Sequence, residues 1–156
     1  MSADSFDSLK STVEHINNVR SKLNLIVQDL LERELVHDKS KTESPEKEGY
    51  DQFTPMLRSL VYGSDEYWET LKQMQPFLVH HYENNSHHPE FYREGISGMN
   101  LLDLIEMLCD WRAAGDRHPG GSDMLKSIEI NSKRFEMSDQ LKQILLNTAS
   151  YMEWIK

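Results

Sequence analysis

The chain has 156 residues, with 26 acidic and 17 basic side chains, so its formal net charge is −9 at pH 7. A length of this order suits one domain around a single core, and we expect a single domain over residues 1–156. The acidic balance excludes the positive surface that attracts phosphate backbones or anionic lipids, so we expect no duplex nucleic acid and no membrane as partners.

The N-terminal quarter has the periodicity of an amphipathic helix. Leucine or isoleucine recurs every seven residues at positions 9, 16, 23 and 30, with further valines and isoleucines between them. This spacing predicts helical structure from about residue 6 to 38, and no strand-like alternation competes with it. Polar residues together with Pro45 and Gly49 then predict a loop over residues 39–52.

Further helices follow, most of them preceded by a residue that suits a helix N-cap. The predicted helical regions are 64–84, 101–114, 122–133 and 138–155. Ser64, Asn100 and Ser138 are the expected N-caps of the first, second and fourth of these regions. Pro76 lies inside the first of these and is expected to kink or split it. The fold class predicted from this pattern is all-α, a compact helical bundle.

Cysteine usage and hydropathy bear on the compartment. The single cysteine, Cys109, has no partner for an internal disulfide and lies in the apolar run 104–111, where we expect a buried, inert thiol. No apolar run approaches the ~18 residues of a membrane span, and the first residues lack the pattern of a signal peptide. We therefore expect a cytoplasmic protein.

The segment "HDKSK" at residues 37–41 is the clearest local signal for chemistry. Adjacent His37 and Asp38 can approach one metal ion together, and Lys41 can reach an anion that the metal holds. The alternative is a solvated helix end, where a histidine interacts favourably with the helix dipole.

Four of the seven histidines lie in the segment "HHYENNSHHPE" at residues 80–90. On one continuous helix His80 and His87 would be about 10.5 Å apart along the axis, too far for one ion. We expect residues 84–86 to end the helix and fold the second pair back. One histidine of each pair then points inward, and we favour His81 and His87. A solvated helix end with incidental imidazoles is the alternative.

Asp110 lies within an otherwise apolar helix, and a buried carboxylate needs a cation or several donors to offset its desolvation. A metal ion meets this need, and so does an ion pair with an arginine such as Arg33. Asp103 and Glu106 share roughly the same helix face, so one of them is expected to orient a ligand histidine.

The segment "HINNV" at 15–19, then "HDKSK", the histidine segment and "LIEMLCDW" with Asp110 follow one another over residues 10–115. This order resembles the HD-domain superfamily of metal-dependent phosphohydrolases, which are all-helical. The chain looks closest to a small phage and bacterial branch with HD-x-S-K and HH..N.HHPE motifs. The resemblance implies that His15, His37, Asp38 and Asp110 are metal ligands, with His81 and His87 at a second metal position.

The resemblance also implies an activity. One or two divalent ions (Mn, Fe, Co or Ni) would activate water to hydrolyse a small phosphorylated metabolite, with a nucleotide as the favoured substrate. Asp38 and Lys41 would be catalytic, and Lys41 and Arg112 would bind the substrate. Two alternatives stay open: a di-iron oxygenase of the HD type, and a non-enzymatic nucleotide- or protein-binding module stabilised by a metal. Homodimerisation also stays open.

Helix geometry constrains His15, the first of the metal ligands that the resemblance implies. His15 and His37 are 22 residues apart, which in an unbroken helix is about 33 Å, far beyond the spacing of ligands on one ion. If both bind one metal, the chain must turn between them. We expect such a turn near residues 20–24, at Ser21 or Asn24.

Overall fold

The computed structural model describes residues 7–60, 64–116 and 123–155, and these residues form helices and no strands. The predicted all-α fold class is confirmed. The helices are α1 (Ser8–Val36), α2 (Glu46–Ser59), α3 (Asp65–Asn84), α4 (Leu101–Asp116), α5 (Met124–Arg134) and α6 (Asp139–Tyr151), with short 3-10 turns at Lys39–Thr42, Pro89–Phe91 and Gly95–Gly98. None of the described helices is long and apolar enough to cross a membrane.

The chain divides into two compact units, Met1–His37 and Asp38–Lys156. The described part of the first unit consists of α1 and its caps. The Asp7 carboxylate accepts a hydrogen bond from the Leu9 backbone N–H at 3.0 Å, and the His37 N–H donates to the Arg33 carbonyl at 2.8 Å. The single domain over 1–156 stays a prediction.

The turn expected near residues 20–24 is wrong, because α1 is one continuous helix of 29 residues. Ser21 and Asn24 are tolerated inside it, since a short polar side chain that faces solvent leaves the helical hydrogen bonds intact. His15 is exposed and lies about 33 Å from His37 along the axis. His15 and His37 therefore cannot be ligands of the same ion in this conformation.

The loop expected over residues 39–52 is confirmed for residues 39–45 and wrong for residues 46–52, because α2 begins at Glu46. Pro45 is the N-cap residue, a position where its missing N–H costs no helical hydrogen bond. Gly49 is buried where α2 packs on α3, and a Cβ at this position would lie 2.2 Å from Cγ of Phe77. The glycine here permits close helix packing, whereas the sequence pattern suggested a turn.

This contact predicts the effect of Gly49→Ala on stability. The added methyl group must displace the Phe77 ring, and such overpacking costs about 1–3 kcal/mol, more than the roughly 1 kcal/mol that alanine gains in helix propensity. We expect a lower free energy of unfolding in urea denaturation. Glu48→Ala, on the exposed side of the same turn, is the control. A Gly49→Ala protein as stable as the wild type would contradict the packing described.

Three predicted helix starts are confirmed by their capping hydrogen bonds. The side chains of Ser64, Asn100 and Ser138 accept from backbone N–H groups of Tyr67 at 3.2 Å, Leu102 at 2.7 Å and Leu141 at 3.2 Å, respectively. Pro76 does not split α3, which continues through it to Asn84. As expected, the helix ends there, with Asn85 in an extended conformation.

The main core of the second unit is formed by α4, α5 and α6. Its buried residues are Met107, Leu108, Met124, Ile128, Leu145 and Ala149. Cys109 follows Leu108 on α4 but is exposed, so the expectation of a buried thiol is wrong. Each residue is rotated by about 100° from the last, and α4 turns Met107 and Leu108 inward and Cys109 outward.

Candidate metal centre

Asp38 occupies an unusual backbone conformation at the start of the second unit. Its φ is +55° and its ψ is +17°, a left-handed conformation that aspartate tolerates better than most residues. The 3-10 turn that follows returns the Lys41 N–H to the Asp38 carbonyl at 2.9 Å. The Lys41 ammonium donates to Asp38 Oδ2 at 2.5 Å, so the turn holds a positive charge beside this carboxylate.

The histidines reach Asp38 from two sides of a helix end. His81 lies in the last turn of α3, and the chain then bends at Asn85, where the Asn85 carbonyl accepts from the His88 N–H at 3.1 Å. This bend returns His87 and His88 toward the end of α3. His81 and His87 are buried, at 1% and 2% exposure, and His88 is half-buried.

One ligand atom from each of Asp38, His81, His87 and His88 lies within 4.8 Å of the other three. Nε2 of His81 is 2.9 Å from Nε2 of His88 and 3.3 Å from Oδ1 of Asp38, and Nε2 of His87 is 3.5 Å from the same oxygen. Donors at about 2.1 Å from one ion, at angles of 90° to 109°, are about 3.0 to 3.4 Å apart. The spacing therefore fits a shared metal ion.

Carboxylates contact the Nδ1 atoms on the far side of two rings and orient their Nε2 atoms. Nδ1 of His81 is 2.8 Å from Oε2 of Glu46, and Nδ1 of His87 is 3.3 Å from Oε1 of Glu106. A carboxylate accepts, so the hydrogen of His81 is assigned to Nδ1, and this neutral ring then presents a lone pair at Nε2. This lone pair and the Nε2 atom of His87 face the same carboxylate oxygen, an arrangement that a cation stabilises.

Burial keeps two of the rings neutral. Desolvation, followed by the neighbouring His87 and His81, lowers the pKa of His88 to about 3, although Asp110 opposes this change. The pKa of His81 is also lowered, first by desolvation and then by the Lys41 charge. At neutral pH both imidazoles are therefore in the form that binds metals.

Glu46 is a residue of the candidate site that the sequence did not reveal. It is completely buried, and its two oxygens lie 2.8 Å from Nδ1 of His80 and 2.8 Å from Nδ1 of His81, while the Ser40 hydroxyl donates to it at 2.9 Å. Asn85 donates in turn to Ser40 at 2.8 Å. The segment around Glu46 suggested a loop, so no pattern placed this carboxylate next to the histidines.

The network around Glu46 predicts a metal-binding phenotype for Glu46→Gln. Glutamine keeps the shape but removes the negative charge, so its amide oxygen is a weaker acceptor from Nδ1 of His81 and orients this imidazole less well. Loss of such a partner lowers metal affinity by about 10- to 100-fold, and we expect that change for cobalt(II), measured by titration calorimetry. The exposed Glu48→Gln is the control, and equal affinities for the two variants would contradict the role of Glu46.

Of the predicted ligands, the structure brings Asp38, His81 and His87 together, and it adds His88, which we had not favoured. A carboxylate oxygen of Asp110 also lies within 4.8 Å of one of Asp38. His88 was missed because the sequence does not fix side-chain directions after a helix end. Pro89, which disfavours helical geometry in the preceding residue, was the one available signal.

The remaining predicted residues have other surroundings. His37 closes the first unit as the C-cap of α1, and its role as a ligand stays a prediction. Arg112 forms an ion pair with Asp116, one turn further along α4, at 2.9 Å, and its role in substrate binding also stays a prediction. Arg33, the suggested partner of Asp110, has an ion pair with Asp29 at 2.6 Å within α1.

The two carboxylates expected to orient a histidine have separate roles. Glu106 contacts Nδ1 of His87, as the helix spacing suggested. Asp103 is buried and accepts from the Tyr92 hydroxyl at 2.6 Å and from the Asn100 N–H at 2.8 Å. Asp103 thus fixes the start of α4, which carries Glu106 and Asp110.

Comparison with known proteins identifies a family and no function. The model for a family of unknown function (DUF5662) matches residues 4–151. No curated protein and no solved structure matches the chain.

Proposed function

We propose that this chain, which belongs to the DUF5662 family of unknown function, binds a divalent transition metal and hydrolyses a small phosphorylated molecule, with a nucleotide as the favoured substrate. The ligands are Asp38, His81, His87 and His88. The observation that carries the proposal is the convergence of three imidazole nitrogens and one carboxylate oxygen within 4.8 Å of one another.

The donor set supports a transition metal. Imidazole nitrogen suits iron, nickel and zinc, whereas magnesium and calcium prefer sites built from oxygen ligands. Manganese, iron, cobalt and nickel commonly take up to six ligands, so four protein donors leave positions for water and substrate. When bound, such an ion lowers the pKa of a coordinated water and polarises a phosphoryl oxygen.

Lys41 supports a phosphorylated substrate. Its ammonium group lies against Asp38 Oδ2 and 5.2 Å from the centre of the Tyr50 ring, so Lys41 is held at the edge of the cluster. Burial, and then the charge of Asp38, raises the pKa of Tyr50, which keeps the phenol neutral. The lysine thus places a fixed positive charge where a phosphoryl oxygen would develop charge during hydrolysis.

The charge of the chain supports a small substrate. With a formal net charge of −9, the protein repels long polyanions, while one lysine beside a metal attracts a single phosphate group. The resemblance of the "HDKSK" segment to the HD-domain superfamily points to the same reaction class. Asp38 contributes twice, as a metal ligand through Oδ1 and as the anchor of Lys41 through Oδ2.

The test is metal analysis followed by an activity screen. Tag-free protein, purified without chelators, is expected to contain about one equivalent of a transition metal, or to bind manganese, iron(II), cobalt or nickel. Phosphate release is then measured on nucleotides and sugar phosphates. Absence of metal binding would overturn the whole proposal. Metal-loaded protein that releases no phosphate would overturn the hydrolase, and metal-dependent oxygen uptake would replace it with an oxygenase.

A further inference from the structure

The apolar face of α1 is an exposed surface that the proposed hydrolase does not use. α1 has no buried residue over its 29 residues, and Leu23, Val27, Leu31 and Leu35 are 56%, 53%, 56% and 82% exposed. Helices of soluble proteins owe most of their stability to the packing of an apolar face. An exposed apolar face of this length therefore marks an interaction surface.

At about 100° per residue, ten of the twelve leucine, isoleucine and valine residues of α1 lie on one half of the helix circumference, and Leu25 and Val36 lie outside it. We call this face the α1 stripe; it consists of Leu9, Val13, Ile16, Val19, Leu23, Ile26, Val27, Leu30, Leu31 and Leu35. Along the described helix, two charged residues project within its limits: Arg20 in the first half and Glu34 in the second. Both side chains are exposed.

We propose that the α1 stripe binds the α1 stripe of a second copy of this chain in an antiparallel orientation. The two charges select this partner and this direction. A parallel pair would place Arg20 against Arg20 and Glu34 against Glu34 inside an apolar seam, and like charges in such a position disfavour association. An antiparallel pair places each Arg20 beside Glu34 of the other copy.

The antiparallel orientation also gives a continuous apolar seam. With Arg20 beside Glu34, the two-fold axis passes near Val27, and the segment around Leu23 faces the segment around Leu31 of the second copy. The interface is then self-complementary, as a two-fold symmetric dimer requires. Neither charge interrupts the apolar seam, because Arg20 of each copy lies beside the oppositely charged Glu34 of the other copy.

Charge reversal tests the proposal. The molar mass of the full-length protein is measured by sedimentation over a range of concentrations. Arg20→Glu alone and Glu34→Arg alone are each expected to weaken the dimer at least about tenfold, and the double variant is expected to restore it. Helical circular dichroism shows that each variant is folded. A wild-type monomer at every concentration, or a double variant without restored association, would overturn the proposal.

Cysteine cross-linking tests the direction. In a Cys109→Ser background, Val27→Cys is expected to cross-link two copies, since the residue lies near the two-fold axis. Val13→Cys is the matched control, at 46% exposure against 53% for Val27. Two Val13 residues lie at opposite ends of an antiparallel pair and should not cross-link, so cross-linking at both positions would overturn the orientation.

Because α1 supplies none of the four proposed ligands, the dimer is expected to persist in His81→Ala.

Discussion

Replacing His81 with alanine is expected to abolish stoichiometric metal binding, whereas replacing the adjacent His80 is expected to preserve it. Nε2 of His81 faces Nε2 of His88 at 2.9 Å and Asp38 Oδ1 at 3.3 Å. His80 is a half-exposed neighbour whose Nδ1 contacts Glu46. Loss of a group that hydrogen-bonds a metal ligand costs about 10- to 100-fold in metal affinity, so loss of a ligand itself should cost more than about 100-fold.

The measurement for this pair of variants is a cobalt(II) titration followed by visible absorption, which reports directly on the ligands of the ion. A second readout is thermal stability. A metal present at 100 times its Kd adds about 2.7 kcal/mol of stability, which for a chain of this size raises Tm by about 5–10 °C. Wild type and His80→Ala should show this rise. Equal cobalt affinity in His81→Ala would contradict the proposed ligand set.

Replacing Lys41 with methionine is expected to lower turnover by about 10²- to 10³-fold while the metal content stays unchanged. Methionine keeps the length of the side chain and removes the positive charge that lies beside Asp38 Oδ2. The oxygen that faces the imidazoles is Oδ1, so the ligand geometry does not depend on the lysine. The substrate for this assay is the nucleotide or sugar phosphate that the wild type hydrolyses fastest.

Lys39→Met is the matched control for Lys41→Met, because Lys39 lies two residues earlier in the same 3-10 turn and is exposed. Its turnover should equal that of the wild type. If both variants lost activity equally, the effect would arise from the turn or the general charge. If Lys41→Met lost its metal, the lysine would act by holding Asp38 in place.

Helix positions were predicted well where local chemistry decides them. Ser64, Asn100 and Ser138 cap helices because a side-chain oxygen accepts from backbone N–H groups within three residues. Such a contact depends only on neighbouring residues, so it can be predicted from the sequence. The predictions for residues 45–49 failed because proline and glycine have two uses. Here Pro45 is the N-cap of α2, and Gly49 lets that helix approach Phe77, which is distant in the sequence.

The candidate site also contains some residues that the sequence indicated and others that it did not. The "HDKSK" and histidine segments identified Asp38, His81 and His87, because ligand types crowded into short segments are visible in the sequence. His88 and Glu46 were not identified. The side chain of His88 depends on the backbone path after α3 ends, and Glu46 reaches His81 across 35 positions of sequence.

By itself, the sequence determined the helical class, the acidic charge, the starts of several helices and the residue types of the cluster, because these depend on neighbours within one or two turns. The tertiary structure decided which imidazoles converge on Asp38, that Glu46 orients His81, and that Gly49 is a packing residue. Those outcomes depend on how α2 and α3 pack and on where the chain turns after α3. Contacts between residues far apart in the sequence arise from packing, which no local pattern encodes.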